Sequence, residues 1–209
     1  MLFRKKAQKI FCIGRNKTGT TSLEKVLKEF GYKMGSQTEG EKLITYYKDY
    51  NWKPIIKFCK TAEAFQDAPF SWPYTWQILY EYFPKAKFIL TVRDEESWYN
   101  SQVRFHSKQF SDGISPPNKN CLKNAEYNYR GYLWDVFEAV WKTPKSDLYN
   151  KSDFIESYRC HNKSVIHFFK NKPNFLILDV SDKNSYKKLS NFLEKKPIHL
   201  EFPHLNKSI

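Results

Sequence analysis

Short apolar runs alternate with amphipathic stretches along the 209-residue chain. Residues 9–13 are an apolar run closed by Gly14, the pattern of a buried strand. From Thr18 to Phe30, the residues Leu23, Val26, Leu27 and Phe30 recur at helical spacing, and Gly31 closes the segment. Strand, glycine-containing loop and helix therefore follow one another at the start. Further on, the pattern predicts a helix over 41–50, a short strand over 64–68 stopped by Pro69, and a helix over 74–83 ended before Pro84. Residues 87–92 (KFILTV) give the clearest strand, followed by a helix over 95–103 that opens on two acids. A loop over 111–119 leads to two long helices, 121–142 and 152–170, then a buried strand over 175–180 (FLILDV) and a helix over 185–193. Strands that alternate with helices predict an α/β fold with a parallel sheet, whose ligands bind beyond the carboxyl ends of the strands.

Composition narrows the class. Apolar residues make up 41% of the chain and aromatics 18%, enough for a packed core, so disorder is excluded. We expect a single domain over 1–209. No run of 18 apolar residues exists, and the apolar stretch behind the basic start Arg4-Lys5-Lys6 is too short for a signal peptide. The expectation is a soluble, cytoplasmic chain without membrane insertion. Cys12, Cys59, Cys121 and Cys160 are too widely spaced for a zinc site or a disulfide framework. The net charge of +13 raises nucleic acid as a partner, but the lysines are scattered rather than striped, so no nucleic-acid partner is expected. A basic surface does suit an anionic cofactor, and an anionic acceptor. His106, His161, His167, His199 and His204 do not cluster at metal-ligand spacing, and no metal is expected.

Two segments carry candidate chemistry. Gly14-Arg15-Asn16-Lys17-Thr18-Gly19-Thr20-Thr21 has the two glycines of a triphosphate-binding P-loop, but Thr20 stands where that motif has lysine. The loop's lysine is Lys17, two residues before the second glycine. Backbone amides and the helix N-terminus form an anion cradle, and Thr18, Thr20, Thr21 and Ser22 add hydroxyls. Asp179 ends a strand too late in the chain to read as a magnesium-binding acid. The cradle therefore suits an anion smaller than a triphosphate. The other reading of the loop is a turn that only caps a helix. The second segment places Arg93 at the end of the KFILTV strand and Ser101 about two helical turns later, so that both can face one anion. Its alternative is an Arg93 paired with Asp94 or Glu96 on a solvated surface. Two cradles on neighbouring strand ends suggest a nucleotide phosphorylated at two separated places.

Lys17-Thr18-Gly19-Thr20-Thr21-Ser22-Leu23 resembles the 5′-phosphosulfate loop of sulfotransferases, and residues 83–101 (FPKAKFILTVRDEESWYNS) resemble their 3′-phosphate motif. The tail Phe202-Pro203-His204-Leu205-Asn206-Lys207 is similar to the Phe-Pro-x-x-Asn ending of one branch of these P-loop-like proteins. The resemblance implies a three-layer α/β fold and sulfuryl transfer from 3′-phosphoadenosine 5′-phosphosulfate (PAPS) to an acceptor hydroxyl or amine. It implies that the loop from Arg15 and Lys17 to Ser22 holds the 5′-phosphosulfate, and Arg93 and Ser101 the 3′-phosphate. Two positions depart from the pattern. Glu95 replaces a frequent proline, and Ser22 replaces the aromatic that helps hold adenine in the cytosolic branch.

Lys17 suits the cation at the leaving oxygen. For the base we select Asp67, because Asp67-Ala68-Pro69 is similar in spacing to the His-x-Pro that carries the catalytic histidine of the cytosolic branch. Glu39 and Glu41 are rival bases, and Asp67 could instead be a turn or N-cap acid. Trp72, Tyr74, Trp76 and Tyr80 near Asp67 could line an acceptor pocket or be core. Other readings are a P-loop kinase or NTPase, against which Thr20 argues, and a non-catalytic nucleotide-binding module of the same fold. The class of the acceptor (glycan, small alcohol or phenol, peptide) and the oligomeric state are not legible.

Overall fold

Each predicted strand is apolar on both faces, so the sheet must be covered on both sides. The computed structural model describes residues 8–141, 143 and 146–203. In it, β1 (Ile10–Cys12), β2 (Ala64–Phe65), β3 (Lys87–Thr91) and β4 (Phe175–Leu178) form one parallel sheet in the order β2-β1-β3-β4. The register pairs Phe11 with Phe65 on one side and Phe88 on the other, and Leu90 with Ile177.

Alternation along the strands divides the core into two layers. Phe11, Ile13, Phe65, Phe88 and Leu90 pack on one face against Trp76 and Leu79 of α5 (Thr75–Tyr82) and Val165 and Phe169 of α9 (Lys151–Phe169). Ile10, Cys12, Ile89 and Leu178 pack on the other against Leu23, Val26 and Leu27 of α1 (Thr20–Glu29) and Tyr186, Leu189 and Leu193 of α10 (Ser185–Leu193). The result is an α/β fold with a parallel sheet flanked by helices. A third cluster unites Ile44 of α3 (Ile44–Lys48), Trp98 of α6 (Glu95–Phe110), Leu122 of α7 (Lys119–Asn124), Phe137 of α8 (Tyr132–Val140) and Phe154 of α9.

Several elements differ from the sequence reading. The helix expected over 41–50 is two short ones, α2 (Gln37–Glu41) and α3, separated by Lys42 and Leu43. The sequence reading assigned no element to the segment that forms α4 (Trp52–Phe58), which carries Pro54. That proline sits in the first turn, where a missing N–H costs the helix nothing. The strand read over 64–68 ends at Phe65, because the chain turns through a left-handed Asp67. The helix expected over 95–103 runs on to Phe110. The long helix over 121–142 is instead α7 and α8, broken at Gly131, whose φ of 90° is the left-handed conformation glycine supplies most easily. Lys142, residues 1–6 and the tail residues His204, Asn206 and Lys207 lie outside the described residues.

Candidate active site

The loop between β1 and α1 is shaped by close approaches that its glycines allow. A Cβ on Gly14 would lie 2.2 Å from Thr91 Oγ1 at the end of β3, and one on Gly19 would lie 2.3 Å from Val180 Cγ2. Lys17 and Gly19 both have positive φ, 65° and 92°. Three side chains then fix the loop. The Trp98 indole donates to Asn16 O at 2.9 Å. The Thr18 hydroxyl bonds Arg15 O at 2.5 Å and meets the Thr91 hydroxyl at 2.6 Å. No side chain caps α1. Its first amides therefore open on the cavity lined by Thr20, Thr21 and Ser22, where an anion would satisfy them. Thr18 is engaged within the loop, so the free hydroxyls there are fewer than the sequence suggested.

That cavity measures about 820 Å³ and lies past the carboxyl ends of β1 and β3. Arg15, Lys17, Thr18, Gly19, Thr20, Thr21, Ser22, Asp67, Arg93 and Ser101 all line it, so the loop, the arginine–serine pair and the selected base share one cavity. Arg93 forms no ion pair among the described residues. Asp94 instead caps α6 by accepting Ser97 N–H at 2.8 Å, and Glu96 pairs with Lys151 at 2.5 Å. The Arg93 backbone is clamped by the Tyr158 hydroxyl, which accepts its N–H at 2.9 Å and bonds its carbonyl at 3.0 Å. Ser97, Ser101, Arg104 and Phe105 follow on one face of α6 at helical spacing and line the same cavity.

Lys17, Arg93 and Arg104 gather around the loop. Burial lowers the Lys17 pKa, and the two arginines push it the same way, whereas Asp67 raises it. Its ammonium rests 3.8 Å from the centre of the Phe105 ring. A cluster of like charges at an uncapped helix N-terminus is an arrangement that a bound anion relieves. Arg15 is different. Its guanidinium is buried in the wall, donating to Ser71 O and Ser157 Oγ at 3.3 Å each and lying 5.1 Å from the Trp141 ring. Burial lowers its pKa to about 10.

Asp67 faces the cavity from the turn after β2, with φ of 57°. It does not cap α5, whose N-cap is Tyr74; within its turn the Asp67 carbonyl accepts Ser71 N–H at 2.8 Å and its carboxyl accepts the Ala68 N–H. Burial raises its pKa to about 6, the Glu41 carboxylate adds to the rise, and the Ala68 N–H and Lys17 oppose it. Glu41 is itself buried in the cavity wall. It accepts hydrogen bonds from Gln37 at 3.0 Å, Asn128 at 2.8 Å and Tyr127 at 3.4 Å. The other rival base, Glu39, is exposed, pairs with Lys42 at 2.7 Å and does not reach the cavity. Of the four aromatics near Asp67, Trp72 lines the cavity, Trp76 and Tyr80 pack on Phe168 and Phe169, and Tyr74 is exposed.

The sequence did not single out Arg104, Phe105, Tyr132 or Trp141, which complete the cavity. It named His106 only as a histidine outside any cluster. Here it lines the cavity and bonds the Tyr149 hydroxyl at 2.6 Å, and burial and Lys17 push its pKa down to about 4, so it is neutral near pH 7. Asp179 also reaches the cavity, but its carboxylate accepts the Ser181 N–H and hydroxyl at 2.9 and 2.7 Å. His161 is a core residue whose ring meets Ile13 O at 2.8 Å.

No curated protein matches the chain. The family model described as a sulfotransferase domain matches residues 9–209, which takes in the loop, Asp67, Arg93 and the whole cavity. The chain belongs to the sulfotransferase domain family.

Proposed function

We propose that the protein transfers a sulfuryl group from PAPS to a hydroxyl, or an amine, of an acceptor. The observation that carries this reading is one cavity lined by the uncapped α1 N-terminus, Lys17, Arg93 and Ser101 together with a carboxyl of raised pKa. The uncapped α1 N-terminus with Lys17, Thr20, Thr21 and Ser22 suits a 5′-phosphosulfate, and Arg93 with Ser101 suits a 3′-phosphate. The Arg93 guanidinium donates one long bond, from Nη1 to Lys17 O at 3.4 Å, which leaves its other N–H groups for a phosphate.

In this mechanism Asp67 takes the acceptor's proton as the acceptor oxygen bonds to sulfur. Lys17 meets the negative charge that gathers on the 5′-phosphate oxygen as the sulfur–oxygen bond to it breaks. A carboxyl pushed to about 6 is mostly ionised at neutral pH and still a stronger base than an ordinary aspartate. Buried aromatic walls around Trp72 and Trp141 limit water at the transferring group.

Ligand-dependent melting tests the donor. At a hundredfold excess over its dissociation constant, 3′,5′-adenosine bisphosphate should stabilise the fold by about 2.7 kcal/mol, and ATP with magnesium should do clearly less. A larger gain with ATP would overturn the reading in favour of a kinase.

The two cradles are separable by mutation. Arg93→Ala should weaken the bisphosphate by about 10- to 100-fold, because a charge-assisted fork is lost. Binding of 5′-AMP, which lacks the 3′-phosphate, should change by less than about threefold. Calorimetry with both nucleotides decides it, and equal losses would show that Arg93 serves the fold instead.

A further inference from the structure

Charge is divided unevenly along the cavity. Lys17, Arg93 and Arg104 act on one another around the loop, whereas Asp67 and Glu41 act on each other in a cavity whose walls include Trp72, Leu122, Leu133 and Phe137, with Lys17 the cation that reaches Asp67. Tyr127 and Tyr132 belong to the acidic part as well, since both carboxylates raise the pKa of each phenol after burial does.

Glu41 is 7% exposed, yet it has no cation within ion-pair distance among the described residues. Its three partners, Gln37, Tyr127 and Asn128, are neutral. Gln66 extends the chain, donating to Gln37 at 3.4 Å and to Glu24 at 3.0 Å, and Glu24 is a further carboxylate that raises the Asp67 pKa. Arg15, a buried cation that also lines the cavity, is bound to Ser71, Ser157 and Trp141, and the cation that acts on Asp67 is Lys17 of the loop. A buried carboxylate without a counter-charge is costly, and hydrogen bonds from neutral groups offset that only in part. A ligand ammonium group would supply the missing charge, while an anionic ligand would meet two carboxylates in a low-dielectric pocket.

Resting on the sulfuryl-transfer reading above, we propose that Glu41 sets acceptor specificity, so that the cavity takes a small, largely apolar acceptor carrying an ammonium group and rejects anionic acceptors. The apolar walls bind the body of such a molecule, Glu41 faces its ammonium group, and Asp67 is left for the reacting hydroxyl. The basic surface of the whole chain would by itself favour anionic acceptors. Glu41 reverses that preference locally.

The test uses three phenols that differ in charge: 4-hydroxybenzylamine, 4-hydroxybenzyl alcohol and 4-hydroxybenzoate. Their binding to the protein saturated with 3′,5′-adenosine bisphosphate is measured by calorimetry, which needs no turnover. The amine should bind best and the benzoate worst, with about tenfold or more between them. In Glu41→Gln, which keeps the shape and one of the two accepting oxygens, that gap should shrink to about threefold or less while bisphosphate affinity is unchanged. Asp67→Asn, which leaves Glu41 in place, should retain part of the gap and serves as the second variant if Glu41→Gln does not fold. Equal binding of amine and benzoate to the wild type, or an undiminished gap in Glu41→Gln, overturns the proposal. Failure of the bisphosphate itself to bind is read before any phenol is added, and counts against the donor reading instead.

Discussion

Asp67→Asn is expected to lower turnover by about 10²- to 10⁴-fold, the scale on which a general base acts, and to raise the melting temperature above pH 6. The two effects have one cause. Burial and the Glu41 carboxylate hold the Asp67 carboxyl at about 6 in the folded protein, against about 3.9 in an unfolded chain. Between those values the folded state binds the more protons, so stability falls as pH rises through the window and stays lower above it. An amide carries no charge, keeps an acceptor for the Ala68 N–H, and escapes the loss. The gain over wild type should be near zero at pH 4 and reach about 1 to 3 kcal/mol above pH 6, or about 2–4 °C per kcal/mol for a chain of this size. Turnover is measured with an acceptor found by screening against labelled donor. Full turnover in the variant would make Asp67 a turn residue only, and Glu41, which shares the cavity, the next candidate. An inactive variant with no rise in melting temperature would show that Asp67 bears no electrostatic strain.

The parts of this site that the sequence displayed are those in which neighbours in sequence are neighbours in space. Residues 14–22 form a loop whose strand, turn and helix are contiguous, and Arg93 and Ser101 are linked by one helix. Asp67 was reached through the resemblance of Asp67-Ala68-Pro69, not through periodicity. What the sequence hid has physical reasons. Arg104 and Phe105 stayed out of view because α6 was ended at Val103, and a helix carried to Phe110 puts them on the Ser97 and Ser101 face. Tyr132, and Glu41 as a neighbour of Asp67 rather than only its rival, come to that carboxyl because α2 and α8 fold over the ends of the strands. The single helix read across Gly131 would have carried Tyr132 elsewhere, so that glycine was the local signal left unused.

Lys17→Met should reduce turnover by about 10²- to 10³-fold, comparable to removing one preorganised donor from developing charge. Methionine keeps an unbranched stem at the same left-handed backbone position, so the substitution removes the ammonium together with its contact to the Phe105 ring. Lys17 sits where three cations already repel one another, and burial has lowered its pKa. A cation in that position is under-solvated before any ligand arrives, and it gains most where negative charge grows on the leaving oxygen. The loss in turnover should therefore exceed the loss in affinity for 3′,5′-adenosine bisphosphate, for which about tenfold is expected because Arg93, Arg104 and the α1 amides still hold the nucleotide. Removing one of three like charges should also leave the melting temperature unchanged or higher in the absence of nucleotide. Single-turnover rates set beside calorimetric affinities make the comparison. If the two losses are equal, Lys17 binds the donor uniformly in ground and transition states and adds nothing to the chemical step. If turnover survives, the charge on the leaving oxygen must be met by Arg104, and Arg104→Met should then show the larger defect.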